Sequence, residues 1–251
     1  MSRIKHSTVE IIAPTQGEVV AAEPRTGAPV QATWWQSELP VLKELQPQQA
    51  HTAGGRLVFA MDATGSRSAS WSQALVAQTA MFEAAVRRDG LSVQLVHFGG
   101  NGFNASKWVR DARQLSDIMH GVSCVCGGTQ IGNVLEHVVG ETRKNPVAAL
   151  VYVGDAQEER LSTLSALASR LSGLGVRGFF VQDGSEPSVE EDFRRLATTM
   201  KGAYAHLGPN AAADLKSFLS AVAVYASGGT SALTALAARD SGAQKLLLQM
   251  R

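Results

Sequence analysis

From residue 57 onward, short apolar runs alternate with longer stretches in which apolar residues recur at helical spacing. Leu57, Val58, Phe59, Ala60 and Met61 form an unbroken run ended by Asp62. Residues 147–153 repeat the theme, and apolar-rich stretches with a few polar positions run over 91–98, 176–181 and 203–207. Runs of this length suit strands buried on both faces, as in a parallel sheet. Between them the spacing predicts amphipathic helices. One runs through Trp71, Ala74, Leu75, Met81, Phe82, Ala85 and Val86; a short one covers 112–119; a third carries Ile131, Val134, Leu135, Val138 and Val139. Leu161, Leu164, Leu167, Ala168 and Leu171 mark the next, followed by helices over 189–200 and 212–226. Gly99-Gly100-Asn101-Gly102 signals a turn, with a returning hairpin strand from Phe103 to Val109. Strands alternating with helices predict a three-layer, Rossmann-like, doubly wound α/β domain. Its sheet is mostly parallel, with one antiparallel edge strand and helices on both faces.

The ends of the chain read differently. Residues 1–50 hold five of the eight prolines, Pro14, Pro24, Pro29, Pro40 and Pro47. Proline interrupts helix and interior strand alike, so this is expected to be an extension that wraps or dangles, with Trp34, Trp35, Leu39, Leu42 and Leu45 able to dock on the main body. After Gly228-Gly229 the chain is rich in Ala and Leu, and Leu246-Leu247-Leu248 calls for a partner surface. The expected organisation is an extension over 1–50, a domain over 51–227 and a helical tail over 228–251.

Composition excludes more than it identifies. The net charge is +1, from 23 basic and 22 acidic residues, so no basic excess directs the chain to nucleic acid or to a membrane surface. The first residues contain no signal-peptide core, and no run of about 18 strictly apolar residues occurs. Cys124 and Cys126 are spaced poorly for a mutual disulfide, and no second pair completes a tetrahedral zinc site. Two reduced, buried thiols and a cytoplasmic location are expected. The six histidines show no ligand spacing.

Chemistry concentrates where the apolar runs end. Ligands of open α/β sheets sit outside the carboxyl ends of the strands. There the sequence offers Asp62-Ala63-Thr64-Gly65-Ser66, then Gly128-Thr129 ahead of a helix, then Asp155 after residues 147–153. Hydroxyls and carboxylates are hard oxygen donors, and a small set of them suits Mg²⁺ or Mn²⁺. Taken singly, each residue has a plainer role. Asp62 and Asp155 are helix-capping residue types, and Thr129 would cap the helix that begins near Ile131. Ser68 and Ser70 read as helix-start residues, Trp71 as core and Arg67 as a solvated rim residue. Glu158, Glu159 and Arg160 read as a solvated first helical turn.

Taken together, Asp62, Thr64 and Ser66, a distant Thr129 and a distant Asp155 resemble the metal-ion-dependent adhesion site (MIDAS) of von Willebrand factor type A (VWA) domains. The resemblance spans roughly residues 55–227. Each residue falls where that fold puts it: after the first strand, before the third helix and after the fourth strand. Thr64 departs from the commoner serine but keeps the hydroxyl. Gly154-Asp155-Ala156-Gln157 lacks the glycine that often follows the aspartate. The resemblance implies a non-catalytic protein-binding module. Its hydroxyls would touch the metal, its carboxylates would often act through water, and one open position would take a partner's Asp or Glu. It also implies a protein partner of the ATPase or assembly-machinery kind, an analogy at the level of fold. A rival reading is a haloacid-dehalogenase-like Mg²⁺-dependent phosphohydrolase with Asp62 as nucleophile and Lys144 as its cation. In that chemistry the acid/base is an aspartate two residues on, and a threonine stands there. No Gly-Lys-Ser/Thr phosphate loop is present.

Overall fold

The structure is a computed structural model, and it describes residues 54–69, 90–207 and 211–250. These lie within one compact unit, Val41–Arg251. The proline-rich residues 1–50 and the helix expected through Trp71–Val86 fall outside the described residues.

A six-stranded sheet forms the centre, in the order β3-β2-β1-β4-β5-β6. Its strands are β1 (Arg56–Asp62), β2 (Ser92–Gly99), β3 (Gly102–Ala105), β4 (Ala149–Gly154), β5 (Arg177–Asp183) and β6 (Ala203–Leu207). All neighbours pair in parallel except β2 and β3, which form an antiparallel hairpin at one edge. The expected mixed sheet is therefore the observed one. The hairpin strand is shorter than the sequence suggested: after Ala105 only an isolated bridge, Val93 to Val109, continues it.

Alternation along each strand splits the core into two layers. Leu57, Phe59 and Met61 of β1, with Val151 and Val153 of β4, face one side. Val58 and Ala60, with Leu150 and Tyr152, face the other. The first side is covered by α1 (Ala112–His120), α5 (Ala211–Ala237) and α6 (Ser241–Gln249), through Leu115, Leu219, Val222 and Leu246. The second is covered by α2 (Ile131–Lys144), α3 (Leu161–Gly173) and α4 (Pro187–Thr199), through Val134, Leu135, Leu164, Leu171 and Phe193. Burying each large apolar side chain contributes about 1.5–3 kcal/mol, so the doubly covered β1 and β4 are the most strongly held elements.

The C-terminal part follows the expectation and refines it. The helix expected to end near Ala226 breaks at Gly229 (φ 67°), a conformation suited to glycine, and a second helical segment of α5 runs on to Ala237. The α5 stretch Leu215–Ala237 is long and apolar enough to cross a membrane by length and composition. It is not strictly apolar: Lys216, Ser217, Ser220, residues 227–231 and Thr234 interrupt it. Half of that stretch is buried inside the fold, as in the core helix of a globular domain. Helix α6 then folds back. Asp240 caps it by accepting from Ala243 N at 2.7 Å, and Ala243 and Leu246 are buried. Gln249 Oε1 accepts from the backbone N–H of Tyr204 at 3.0 Å, which satisfies a donor on edge strand β6. Leu246 thus has the partner surface its sequence called for, while Leu248 stays exposed.

At the amino end of β1, Glu141 of α2 is fully engaged. It accepts from Arg56 Nη2 (2.9 Å), Trp108 Nε1 (2.8 Å) and Lys144 Nζ (2.7 Å), and the Arg56 guanidinium lies 3.7 Å from the centre of the Trp108 ring. Burial pushes this carboxyl up, but the Lys144 and Trp108 hydrogen bonds, the Lys144 charge and Arg56 outweigh it and hold it at about 2. A depressed folded pKa stabilises the fold above the unfolded value and ceases to do so as pH falls through the folded one. Replacing Glu141 with Gln is therefore expected to cost about 2 kcal/mol at neutral pH, measured by urea unfolding. The gap between the two proteins should close as pH falls from 4.5 towards about 2.

Candidate metal centre

The strand order reverses between β1 and β4: from β1 the chain proceeds outward to β2, and from β4 outward to β5. A crevice at the carboxyl ends of the strands is expected at such a point, and both aspartates lie there. Asp62 is the last residue of β1 and is fully buried. Asp155 directly follows β4.

The first loop folds around its own aspartate. Asp62 Oδ1 accepts from the backbone N–H of Thr64 at 2.8 Å, an Asx-type turn. Arg67 N donates to Thr64 O at 3.0 Å and opens the 3-10 turn Gly65–Ala69. The turn brings Thr64 Oγ1 to 3.1 Å from Ser66 Oγ. Thr64 is buried and Ser66 exposed, so the hydroxyl pair leads from the interior to the surface.

The second loop, residues 124–129, lies across the ends of β1 and β2. Val125 N donates to Ala63 O (2.9 Å), Gly100 N donates to Val125 O (3.1 Å) and Ala63 N donates to Phe98 O (2.8 Å). The crossing is tight: a Cβ at Gly127 would lie 2.5 Å from the Gly100 backbone, so only glycine fits there. A Cβ at Gly65 would lie 3.0 Å from Cys126 Sγ, so this loop runs beside the Thr64–Ser66 turn. Pinned from both sides, Val125 is nonetheless 53% exposed. Cys126, expected to be buried, is exposed, and Cys124 is half-buried.

The third segment ties down the second. Thr129 N donates to Glu158 Oε2 (3.0 Å), and Glu158 N donates back to Thr129 Oγ1 (3.2 Å). Glu159 accepts from Ile131 N (2.5 Å) and Gly132 N (2.9 Å), so it caps α2 from outside the helix. These contacts correct two expectations. Thr129 makes no cap of α2, whose N-cap residue is Gln130 with no side-chain hydrogen bond. Glu158 and Glu159 precede α3 rather than forming its first turn, and they serve the amino end of α2 instead.

Electrostatics single out the two aspartates. Burial raises the Asp62 carboxyl, and the Asp155 charge adds to this; hydrogen bonds from Thr64 and the Arg67 charge offset it in part. Among the described residues, Asp62 Oδ2 and Asp155 Oδ1 are buried with no hydrogen-bond partner. Orphaned buried oxygens of this kind are costly and call for an explanation. Two such oxygens beside a hydroxyl pair are donors of the type a hard cation takes. Among the described residues no group of three or more His, Cys, Asp or Glu is placed to hold a metal, so any cation here depends on hydroxyls. Thr129 is half-buried at the same strand-end face. Among the described residues, no hydrogen bond links it directly to Thr64, Ser66 or Asp155.

Arg67 is the largest departure from the sequence reading. The expected solvated rim residue is completely buried (0% exposed) and forms an ion pair with Asp183 at the end of β5, Nη1 to Oδ2 2.5 Å. The sequence does carry a signal for the partner: Gln182-Asp183-Gly184 ends a buried strand in the same manner as Gly154-Asp155. Lys144, the cation of the phosphohydrolase reading, pairs with Glu141 beside Arg56 at the opposite end of β1 from Asp62.

No protein-family model matches the sequence, and no curated protein matches it. Solved structures are similar to it in shape. The VWA domain of SpRpn10 is 14% identical, with 66% of this chain and 95% of that chain covered and a TM-score of 0.52. A von Willebrand factor type A protein from Catenulispora acidiphila is 17% identical over 70% of this chain and 43% of that one, with a TM-score of 0.58. Proximal thread matrix protein 1 from the mussel byssus, with a zinc-occupied MIDAS motif, is 16% identical over 74% and 52%, with a TM-score of 0.53. Identities this low speak to architecture, and the architecture is that of a von Willebrand factor type A domain.

Proposed function

We propose that this chain is a divalent-metal-dependent protein–protein interaction module without catalytic activity. Asp62, Thr64, Ser66, Thr129 and Asp155 would hold Mg²⁺ or Mn²⁺, and the ion would take an Asp or Glu side chain of a protein partner. The observation that carries this reading is the pair of orphaned carboxylate oxygens, Asp62 Oδ2 and Asp155 Oδ1, at the ends of adjacent strands. A dication would accept both and relieve the burial that raises Asp62. A ligand set rich in hydroxyls and poor in carboxylates leaves such an ion electrophilic, which favours an acidic partner group. The likeness to VWA domains supports the reading, as does a zinc-occupied MIDAS in one of them. The partner class is a protein of an ATPase or assembly complex, the location the cytoplasm.

A hydrolase built on Asp62 is less well supported. Its acid/base position holds Thr64, and Lys144 is engaged with Glu141.

Calorimetric titration of Mg²⁺ and Mn²⁺ into metal-free protein is expected to give saturable binding. Asp62→Ala and Thr129→Ala should each abolish it. Uptake that survives both substitutions means the ion sits elsewhere.

The buried Asp62 charge yields a further expectation. A carboxyl whose folded pKa is raised destabilises the metal-free fold progressively as pH climbs above the unfolded value of 3.8. Asp62→Asn keeps the oxygen that accepts from Thr64 N and removes the charge. In chelator at neutral pH its melting temperature should equal or exceed that of the wild type; in excess Mg²⁺ the order should reverse. A variant that melts lower in both conditions would show that the charge itself serves the fold.

If the module works through the ion, an immobilised wild-type chain should retain its cellular partner in Mg²⁺ and release it in chelator. The Asp62→Ala chain should retain it in neither. Equal retention by both chains would remove the metal from the interaction.

A further inference from the structure

Three aspartates stand at the carboxyl ends of three neighbouring strands: Asp62 on β1, Asp155 after β4 and Asp183 on β5. The turn after β5 lies against the second of them, since a Cβ at Gly184 would come within 3.9 Å of Asp155 Cβ. Arg67 leaves the 3-10 turn after β1 and reaches Asp183, with β4 between them in the sheet. Its side chain is fully buried and Asp183 is 20% exposed. A guanidinium is held in such a place only by acids close by. Its charge is felt at Asp62 and at the buried Tyr152 hydroxyl on β4.

We infer that Arg67 is a resident cation of the strand-end site: balanced by Asp183, it sets through its charge how tightly Asp62 and Asp155 hold a dication. The inference rests on the metal reading above. Three carboxylates and one guanidinium leave two negative charges, the charge that one dication balances. Arg67 is thus a positioning residue with two electrostatic effects. It repels the incoming ion, and it offsets the Asp183 charge that would otherwise attract one. Asp183 acts here through its charge, since among the described residues no three acids are placed to hold an ion together. Removing the cation leaves the Asp183 charge unopposed and deepens the negative potential. Removing Asp183 leaves the cation unopposed beside the ion. The two halves of one ion pair should therefore act on metal affinity with opposite signs, which a purely structural bridge would not do.

The test is calorimetric titration of MgCl₂ and MnCl₂ into the full chain and three variants, Arg67→Met, Asp183→Asn and the double substitution. Arg67→Met is expected to tighten binding by on the order of tenfold or more, and Asp183→Asn to weaken it by a similar factor. The double variant should return to within about threefold of the wild type, since the opposing charges leave together. If Arg67→Met does not fold, Arg67→Lys takes its place: keeping the charge, it should bind as the wild type does while Asp183→Asn binds more weakly. Weaker binding in both single variants overturns the inference and leaves the metal reading intact. An ion taken up by Arg67→Met but not by the wild type supports the inference and overturns the metal reading for the native chain. If none of the proteins binds an ion, both fall.

Discussion

The burial of β1 on both faces and along both edges is the constraint on which the rest depends. Pairing with β2 and β4 satisfies its backbone, and the two helical layers remove its side chains from water. A strand so enclosed has to release the chain at its carboxyl end without leaving polar groups unpaired. The molecule meets that requirement by folding Asp62-Ala63-Thr64-Gly65-Ser66 back on itself and by laying residues 124–129 across the strand end. The backbone accounts are thereby closed. The carboxylate is not: Asp62 Oδ2 stays in the interior with no hydrogen-bond partner among the described residues.

That residue of unsatisfied charge organises the surroundings. Asp155 adds to it, and Arg67 partly offsets it. Around this centre several polar groups are engaged in pairs. Glu158 and Thr129 exchange hydrogen bonds, Glu159 caps α2, and Asp183 takes Arg67. A buried ion pair is weak evidence for stability, because desolvating both charges costs about as much as their attraction returns. A fully enclosed Arg67 is better explained by the field it imposes on its neighbours than by the free energy of its own bridge.

Much of this was legible in the chain. Apolar-rich runs marked five strands and their alternation with helices; 57–61 and 147–153 are unbroken because burial on both faces leaves no polar positions, while the others carry polar residues such as Gln94 and Arg177. The hydroxyls and carboxylates of Asp62, Thr64, Ser66, Thr129 and Asp155 stood out because each follows a run or precedes a helix. The rest lay in pairings between distant segments, which periodicity does not encode. Arg67 and Asp183 are 116 residues apart, and an arginine in a polar loop reads as solvated until its partner is known. Glu158 and Glu159 look like the start of the helix that follows them, yet they reach back across the strand-end face to α2. Helix α5 breaks at Gly229, as the Gly228-Gly229 pair suggests; the return of its second segment to the same core through Leu233 is not encoded locally.

The two ends of β1 make the strongest argument about where function lies. At the amino end, Glu141 is also buried, though less deeply than Asp62, and both of its oxygens are engaged by Arg56, Trp108 and Lys144, so its carboxyl is held at about 2. At the carboxyl end, burial is deeper and engagement is less complete, and the carboxyl moves the other way. One strand and one residue class thus carry opposite outcomes. Had the chain needed only stability at both ends, the devices at Glu141 were available at Asp62: a nearby arginine exists in Arg67, and it is turned away to Asp183. The fold therefore keeps an acceptor open at the top of the sheet while holding a cation within reach of it. Such an arrangement stabilises nothing by itself, and it is what a site needs if its charge is to be completed from outside.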